Sequence, residues 1–204
     1  PRMDGFTEKT GWTYHTIPLA ADKTLLKPLY DSRFDADISY VGSALPEKRD
    51  FFRENVYRFS ATHRLRIYGQ DWTRSDRLLG WIQRGGQYLN FKPLARIRKP
   101  KLDLQDEARI YTSSIVCVNV HEEYQRKYGG DCNERTFKIP LCGGFEVVDN
   151  VACIKRYFES GKDLMIAENR YEWVDMVRYY LDHPEDRLPI IEAGRQRVLK
   201  QHTY

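Results

Sequence analysis

The chain has 204 residues, 41% of them hydrophobic and 30% charged, with 33 Lys and Arg against 29 Asp and Glu for a net charge of +4. That length suits one packed α/β domain, and no apolar run approaches the roughly 18–20 residues that span a bilayer. The small, scattered positive excess leaves no electrostatic footprint for nucleic acid. Cys117, Cys132, Cys142 and Cys153 form no CxxC pair and have no His at zinc-ligand spacing, so they read as buried reduced thiols of a cytoplasmic protein without a metal site.

Residues 1–35 read as a linker and the remnant of an interdomain crossover, and residues 36–204 as the folded domain. Both ends read as cut, because the chain opens at Pro1 without an initiator Met and stops at "LKQHTY" directly after a helical pattern. "ADISYVGS" (36–43) is a buried strand ending in Gly-Ser, followed by the helix "PEKRDFFRENVYRF", which has Pro at its start. "RLRIYGQ" (64–70) is a second strand closed by Gly69, and "SDRLLGWIQR" a short helix capped by Ser75. "KPLARI" reads as a third strand, "LDLQDEARIYTSS" as a helix, and "IVCVNVHE" as a β-branched fourth strand covered on both faces. "FEVVD" and "DLMIAE" supply two more strands, and "YEWVDMVRYYLDH" and "PEDRLPIIEAGRQRVLKQH" two closing helices. Six strand–helix units of this kind predict a doubly wound, mainly parallel, Rossmann-like α/β sheet with ligands at the C-terminal strand ends.

Those ends present Gly42-Ser43, Gly69-Gln70, Arg98, Asn119-His121 and Asp149-Asn150. Glycine there admits close backbone approach by phosphate oxygens, although any single one serves as readily for a tight turn. No GxGxxG follows the first strand and no GxxxxGK[ST] occurs, which disfavours dinucleotide and P-loop sites. In "NERTFKIPLCGG" (133–144), Asn133 is placed to cap a short helix whose first turn carries Glu134 and Arg135. The free N–H groups and the guanidinium fork of that end suit a diphosphate. Pro140 and Gly143-Gly144 confine the helix to about two turns. The plain alternative makes Arg135 a surface residue paired with Asp131 or Glu134.

"DISYVGS", "LRIYGQDW", "YTSSIVCVNVH", the N-x-R-x-F-x-I-P-x-C-G-G-F segment and "YYLDHPEDR…EAGRQRVLKQHTY", taken together, resemble the C-terminal half of GT-B glycosyltransferases of the spore-maturation CgeB-like family, over residues from about Tyr14 to Tyr204. The resemblance implies a nucleotide-sugar donor, a UDP- or GDP-sugar, held by this half without an obligatory metal. It also implies an absent N-terminal domain holding a saccharide or protein acceptor, and activity of the hexosyltransferase type only in the full-length protein. Carried over, Gly42 and Ser43 meet the donor phosphates, Arg98 lies near the base, and Asn133, Arg135 and Thr136 meet the diphosphate and sugar. Gly69, Asn119 and His121 complete the set from the strand ends, with a structural role open for Asn119 and His121. Arg135 and Lys138 would stabilise the leaving diphosphate. Where many GT-B enzymes carry a ribose-binding Glu after R-x-F, this chain has Lys138, which only donates. Either Lys138 reaches a phosphate or Glu146 takes the ribose role. The competing readings are a non-catalytic nucleotide-sugar-binding or interaction module, and another doubly wound enzyme such as an epimerase or phosphatase.

Overall fold

In the computed structural model, which describes residues 5–13, 15, 17–98, 102–128 and 130–204, the near-continuous apolar runs become the strands of one sheet. The elements are helix α1 (Phe6–Thr10), strand β1 (Ala36–Val41), α2 (Pro46–Phe51), β2 (Leu65–Tyr68), α3 (Arg74–Tyr88), α4 (Lys92–Ala95) and α5 (Leu104–Thr112). They continue with β3 (Ser114–Asn119), α6 (Glu123–Tyr128), α7 (Arg135–Leu141), β4 (Glu146–Asp149), β5 (Met165–Ala167), α8 (Arg170–Asp182) and α9 (Arg187–Gln201). Among the described residues the sheet has five strands in the order β2-β1-β3-β4-β5, and every neighbouring pair is parallel. The fold is therefore the Rossmann-like α/β class expected, with the winding direction reversing between β1 and β3. A reversal of that kind splays the following loops apart and opens a crevice beyond the strand C-termini.

Helices cover both faces of the sheet, because successive strand side chains point to opposite sides. Val116 and Val118 of β3 join Ile38, Tyr40, Phe52, Val147, Trp173 and Val177 in one buried layer. Cys117 turns the other way, into a layer with Ile110, Phe137, Ile139, Val148 and Ile166. All four cysteines are buried and free. Among the described residues no helix is long and apolar enough to cross a membrane.

The sequence reading departs from the structure in three places. "KPLARI" is not a strand: Lys92–Ala95 is a single helical turn with Pro93 at its start, and the sheet has five strands rather than six. Proline lacks the N–H a ladder needs and its fixed φ suits a first helical turn. The helix after β1 is short and passes into a π turn over Phe52–Val56 and a 3₁₀ turn over Tyr57–Ala61. α3 runs to Tyr88, and its cap is Thr73, whose hydroxyl accepts the Asp76 amide at 3.0 Å.

Within the stretch expected to be linker, Leu26 is buried and Ala21 is bridged to Thr203 at the C-terminus. The amides of Leu29 and Asp31 bond the hydroxyls of Thr112 and Ser113 at 2.9 Å each. Residues 1–4, 14 and 16 of that stretch lie outside the described residues.

Candidate functional site

The loops after β1 and β2 touch through glycine. Gly42 has φ +154 and Gly69 φ +132, and a Cβ on Gly69 would overlap the Gly42 carbonyl. That close approach leaves a cavity of about 540 Å³ beyond the two strands, lined by Val41, Gly42, Ser43, Gly69, Gln70, Leu79, Ile97, Arg98, Leu102 and Glu107, among others. Its neighbour, about 330 Å³, is lined by Tyr111, Asn133, Arg135 and Lys138 and shares Val41, Gly42 and Glu107 with the first. The two hollows form one crevice across the C-terminal ends of β1 and β3.

Arg98 borders the larger hollow but is held in place. Its Nη2 donates to Asp71 at 2.9 Å and to Asp76 at 2.8 Å, and its Nε donates to Asp76 at 3.2 Å. The ionic clamp ties the segment after α4 back to the start of α3, so Arg98 shapes this wall of the hollow.

Arg135 lies at the end of the narrower hollow. Its Nε donates to Asn119 Oδ1 at 3.0 Å and its Nη2 to the Val120 carbonyl at 3.2 Å, while the guanidinium stands 5.4 Å from the Tyr40 ring centroid. Nη1 faces the space that a side chain on Gly42 would fill. Glycine at 42 thus keeps the front of this cation open. The N–H groups expected to be free here are occupied: the amides of Thr136, Phe137 and Lys138 bond to the carbonyls of Asn133 and Glu134. α7 has only seven residues, with Pro140 inside. The positive character of this end therefore comes from the Arg135 side chain rather than from the helix.

Behind Arg135 lies a buried polar lattice. Asn119 Nδ2 donates to Glu146 Oε1 at 2.7 Å, Asn133 Oδ1 at 3.0 Å and Thr136 Oγ1 at 3.1 Å, and Asn133 Nδ2 returns a bond to Asn119 Oδ1 at 2.9 Å. Asn119, His121, Thr136 and Glu146 are each at most 1% exposed. His121 Nδ1 pairs with Asp149 at 2.9 Å and its Nε2 lies 3.5 Å from the Thr136 hydroxyl, so the histidine is a structural hydrogen-bonder. Glu146 is too deep to meet a ribose; it anchors Asn119, which in turn aims Arg135.

Burial pushes the Glu146 carboxyl up to about 8 from 4.5, against the opposing pull of Asn119 and Arg135. Below 4.5 the group is neutral in the folded and unfolded chain alike. Between 4.5 and about 8 the unfolded chain releases this proton while the folded chain retains it, so its contribution to stability is lost as pH rises across that window. Glu146→Gln removes the dependence. Thermal unfolding at pH 5 and pH 8.5 is expected to show the variant gaining on the parent at the higher pH by on the order of a few kcal/mol. A constant difference between the two pH values would contradict a buried, proton-holding carboxyl.

Lys138 is committed as well. Its Nζ lies 2.8 Å from Glu134 and 3.3 Å from Glu107, and these carboxylates hold the ammonium above its ordinary value although burial alone would lower it. The free phosphate donor expected at this position is instead the centre of an ion triplet.

The structure thus gathers Gly42, Ser43, Gly69, Arg98, Asn133, Arg135 and Lys138 on the crevice and sets Asn119, His121, Thr136 and Glu146 behind it. Glu107, which lines both hollows, was missed. Its only local signal is that Glu107 and Tyr111 fall four residues apart on one face of a helix.

An all-parallel doubly wound sheet with its crevice at the strand reversal defines a Rossmann-like domain. The chain belongs to the glycosyl transferase-like family, whose model matches residues 48–204. Its fold is similar to that of sucrose-phosphate synthase from Thermosynechococcus elongatus, with TM-score 0.64 and 16% identity over 98% of this chain and 52% of that one. It is also similar to the C-terminal domain of a glycosyl transferase group 1 family protein from Francisella tularensis, with TM-score 0.54 and 8% identity over 90% of this chain and 98% of that one. The chain spans about half the length of the synthase and nearly all of the C-terminal domain. No curated protein matches its sequence significantly.

Proposed function

We propose that this chain is the donor-binding half of a GT-B glycosyltransferase, holding a nucleotide sugar in the crevice beyond β1 and β3. The observation that carries the reading is Arg135, a cation fixed from behind by Asn119 and Val120 and left open in front by Gly42, at one end of a crevice formed by adjoining hollows of about 540 and 330 Å³. The base occupies the larger hollow against Leu79, Ile97 and Leu102, and the diphosphate meets Arg135. As the glycosidic bond breaks, negative charge grows on the departing phosphate oxygen. A guanidinium already held in place stabilises that charge without reorganising. Lys138, neutralised by two carboxylates, shapes the crevice floor.

The acceptor is assigned to a second domain, in keeping with a chain that spans about half of the synthase. The motifs favour the CgeB-like branch of the family, and the four buried thiols favour a cytoplasmic setting. Calorimetric titration with UDP, GDP, ADP, dTDP and their hexose esters tests the reading. One base series is expected to bind while the free hexose does not, and the chain alone is expected to transfer no sugar. Failure of every nucleotide to bind would set the reading aside, and transfer by the chain alone would refute the division of labour.

A further inference from the structure

The two hollows of the crevice share three residues, Val41, Gly42 and Glu107. A nucleoside diphosphate is linear in its chemistry, with base, ribose and phosphates in that order. With its base against the apolar wall of the larger hollow and its phosphates at Arg135, the ribose falls on the shared rim. Val41 is apolar and Gly42 has no side chain, so Glu107 holds the one side chain on that rim able to bond a hydroxyl group.

The other carboxylates lining the crevice are engaged. Asp76 gives both oxygens to Arg98, Glu122 pairs with Lys48, and Glu134 pairs with Lys138. Glu107 differs in lining both hollows, where each of the others lines one, and it too has an oxygen to spare. Its Oε2 accepts from Lys138 Nζ at 3.3 Å, and its Oε1 is in no hydrogen bond among the described residues. The side chain is 18% exposed, so the carboxylate is fixed by its lysine and still reachable. One turn further along α5, the Tyr111 hydroxyl is buried without a hydrogen-bond partner among the described residues, and Tyr111 lines the same narrower hollow.

A ribose offers two adjacent hydroxyl donors, and an ionised carboxylate is acceptor-only. We propose that Glu107, oriented by Lys138, accepts the 2′- and 3′-hydroxyls of the donor's ribose and selects ribonucleotides over deoxynucleotides. The proposal rests on the nucleotide-sugar reading of the crevice and assigns its ribose subsite to α5.

The test takes whichever of UDP, GDP, ADP and CDP binds the chain most tightly and compares it, by calorimetry, with its 2′,3′-dideoxy analogue. Hydrogen bonds to a charged group predict that the analogue binds about tenfold or more weakly. Glu107→Ala is expected to bring the two affinities to within about twofold, and Glu107→Gln, which retains one acceptor oxygen, to leave an intermediate ratio. Arg135→Ala weakens both ligands and leaves their ratio unchanged. The ratio is the deciding readout because removing a negative charge near a phosphate, or loosening the fold, changes both affinities together. Unfolding midpoints of the variants identify any that fail to fold, and the wild-type ratio needs no variant at all. Equal binding of the two ligands by the wild-type chain, or a ratio unmoved in Glu107→Ala and Glu107→Gln, overturns the Glu107 assignment while leaving the nucleotide reading intact. Absence of binding by all four diphosphates overturns both.

Discussion

Arg135→Ala is expected to weaken nucleoside diphosphate binding about tenfold to a hundredfold, the equivalent of losing one or two charge-assisted hydrogen bonds to phosphate. The effect should be large because the guanidinium is already positioned by Asn119 Oδ1 at 3.0 Å and the Val120 carbonyl at 3.2 Å, so binding spends little on ordering it. Arg135→Lys retains the charge but not the fork, and should recover only part of the loss. The variant's unfolding midpoint should shift little, since Asn119 Oδ1 still accepts from Asn133 Nδ2 at 2.9 Å. Calorimetry showing the parent affinity in Arg135→Ala would remove this residue from the site.

Gly69→Ala is expected to produce the largest loss of stability among single changes at the crevice. The residue has φ +132, a conformation side chains rarely adopt, and the added Cβ would overlap the carbonyl of Gly42. Backbone strain and forced separation of the two loops together cost about 2–4 kcal/mol, lowering the melting temperature by roughly 5–10 °C for a chain of this size. Because Gly42 also borders the space before Arg135, nucleotide binding should fall along with stability. Gly85 provides the contrast: it lies in α3 with nothing within 4 Å of an added Cβ, and Gly85→Ala should be neutral or stabilise by about 0.5–1 kcal/mol. Equal melting temperatures for Gly69→Ala and the parent would contradict the close contact of the β1 and β2 loops.

The sheet was legible because its signal is local. β3 and β4 are apolar runs bounded by polar turns, and burial on both faces makes such runs continuous. "KPLARI" carries a similar apolar content over six residues, but Pro93 converts it to a helical turn; composition alone does not separate the two. Gly42, Gly69 and Arg135 were legible as residues of the crevice for a related reason, since strand ends and a short Arg-bearing segment are recognisable in one dimension. The state of each cation was not legible. Lys138 and Glu107 are 31 residues apart, as are no local pattern's partners, and only the packing of α5 against α7 makes them an ion pair. Arg98 likewise reads as a free charge until the turn of α4 brings it back to Asp71 and Asp76. Glu146 looked available for a hydroxyl because its strand ends near the crevice, but its own position faces inward, where Asn119 takes one oxygen.

The site assignment is tested most directly by hydrogen exchange of the backbone amides with and without the tightest-binding nucleoside diphosphate. The crevice predicts slowed exchange in the loops after β1 and β2, along the start of α5, and around Asn133 to Lys138, with little change at a separate groove of about 410 Å³ lined by Glu54, Arg58, Arg170 and Arg178 or at the opposite ends of the strands. Protection confined to that groove or to those opposite ends, with the amides around Gly42 and Arg135 unaffected, would contradict the assignment.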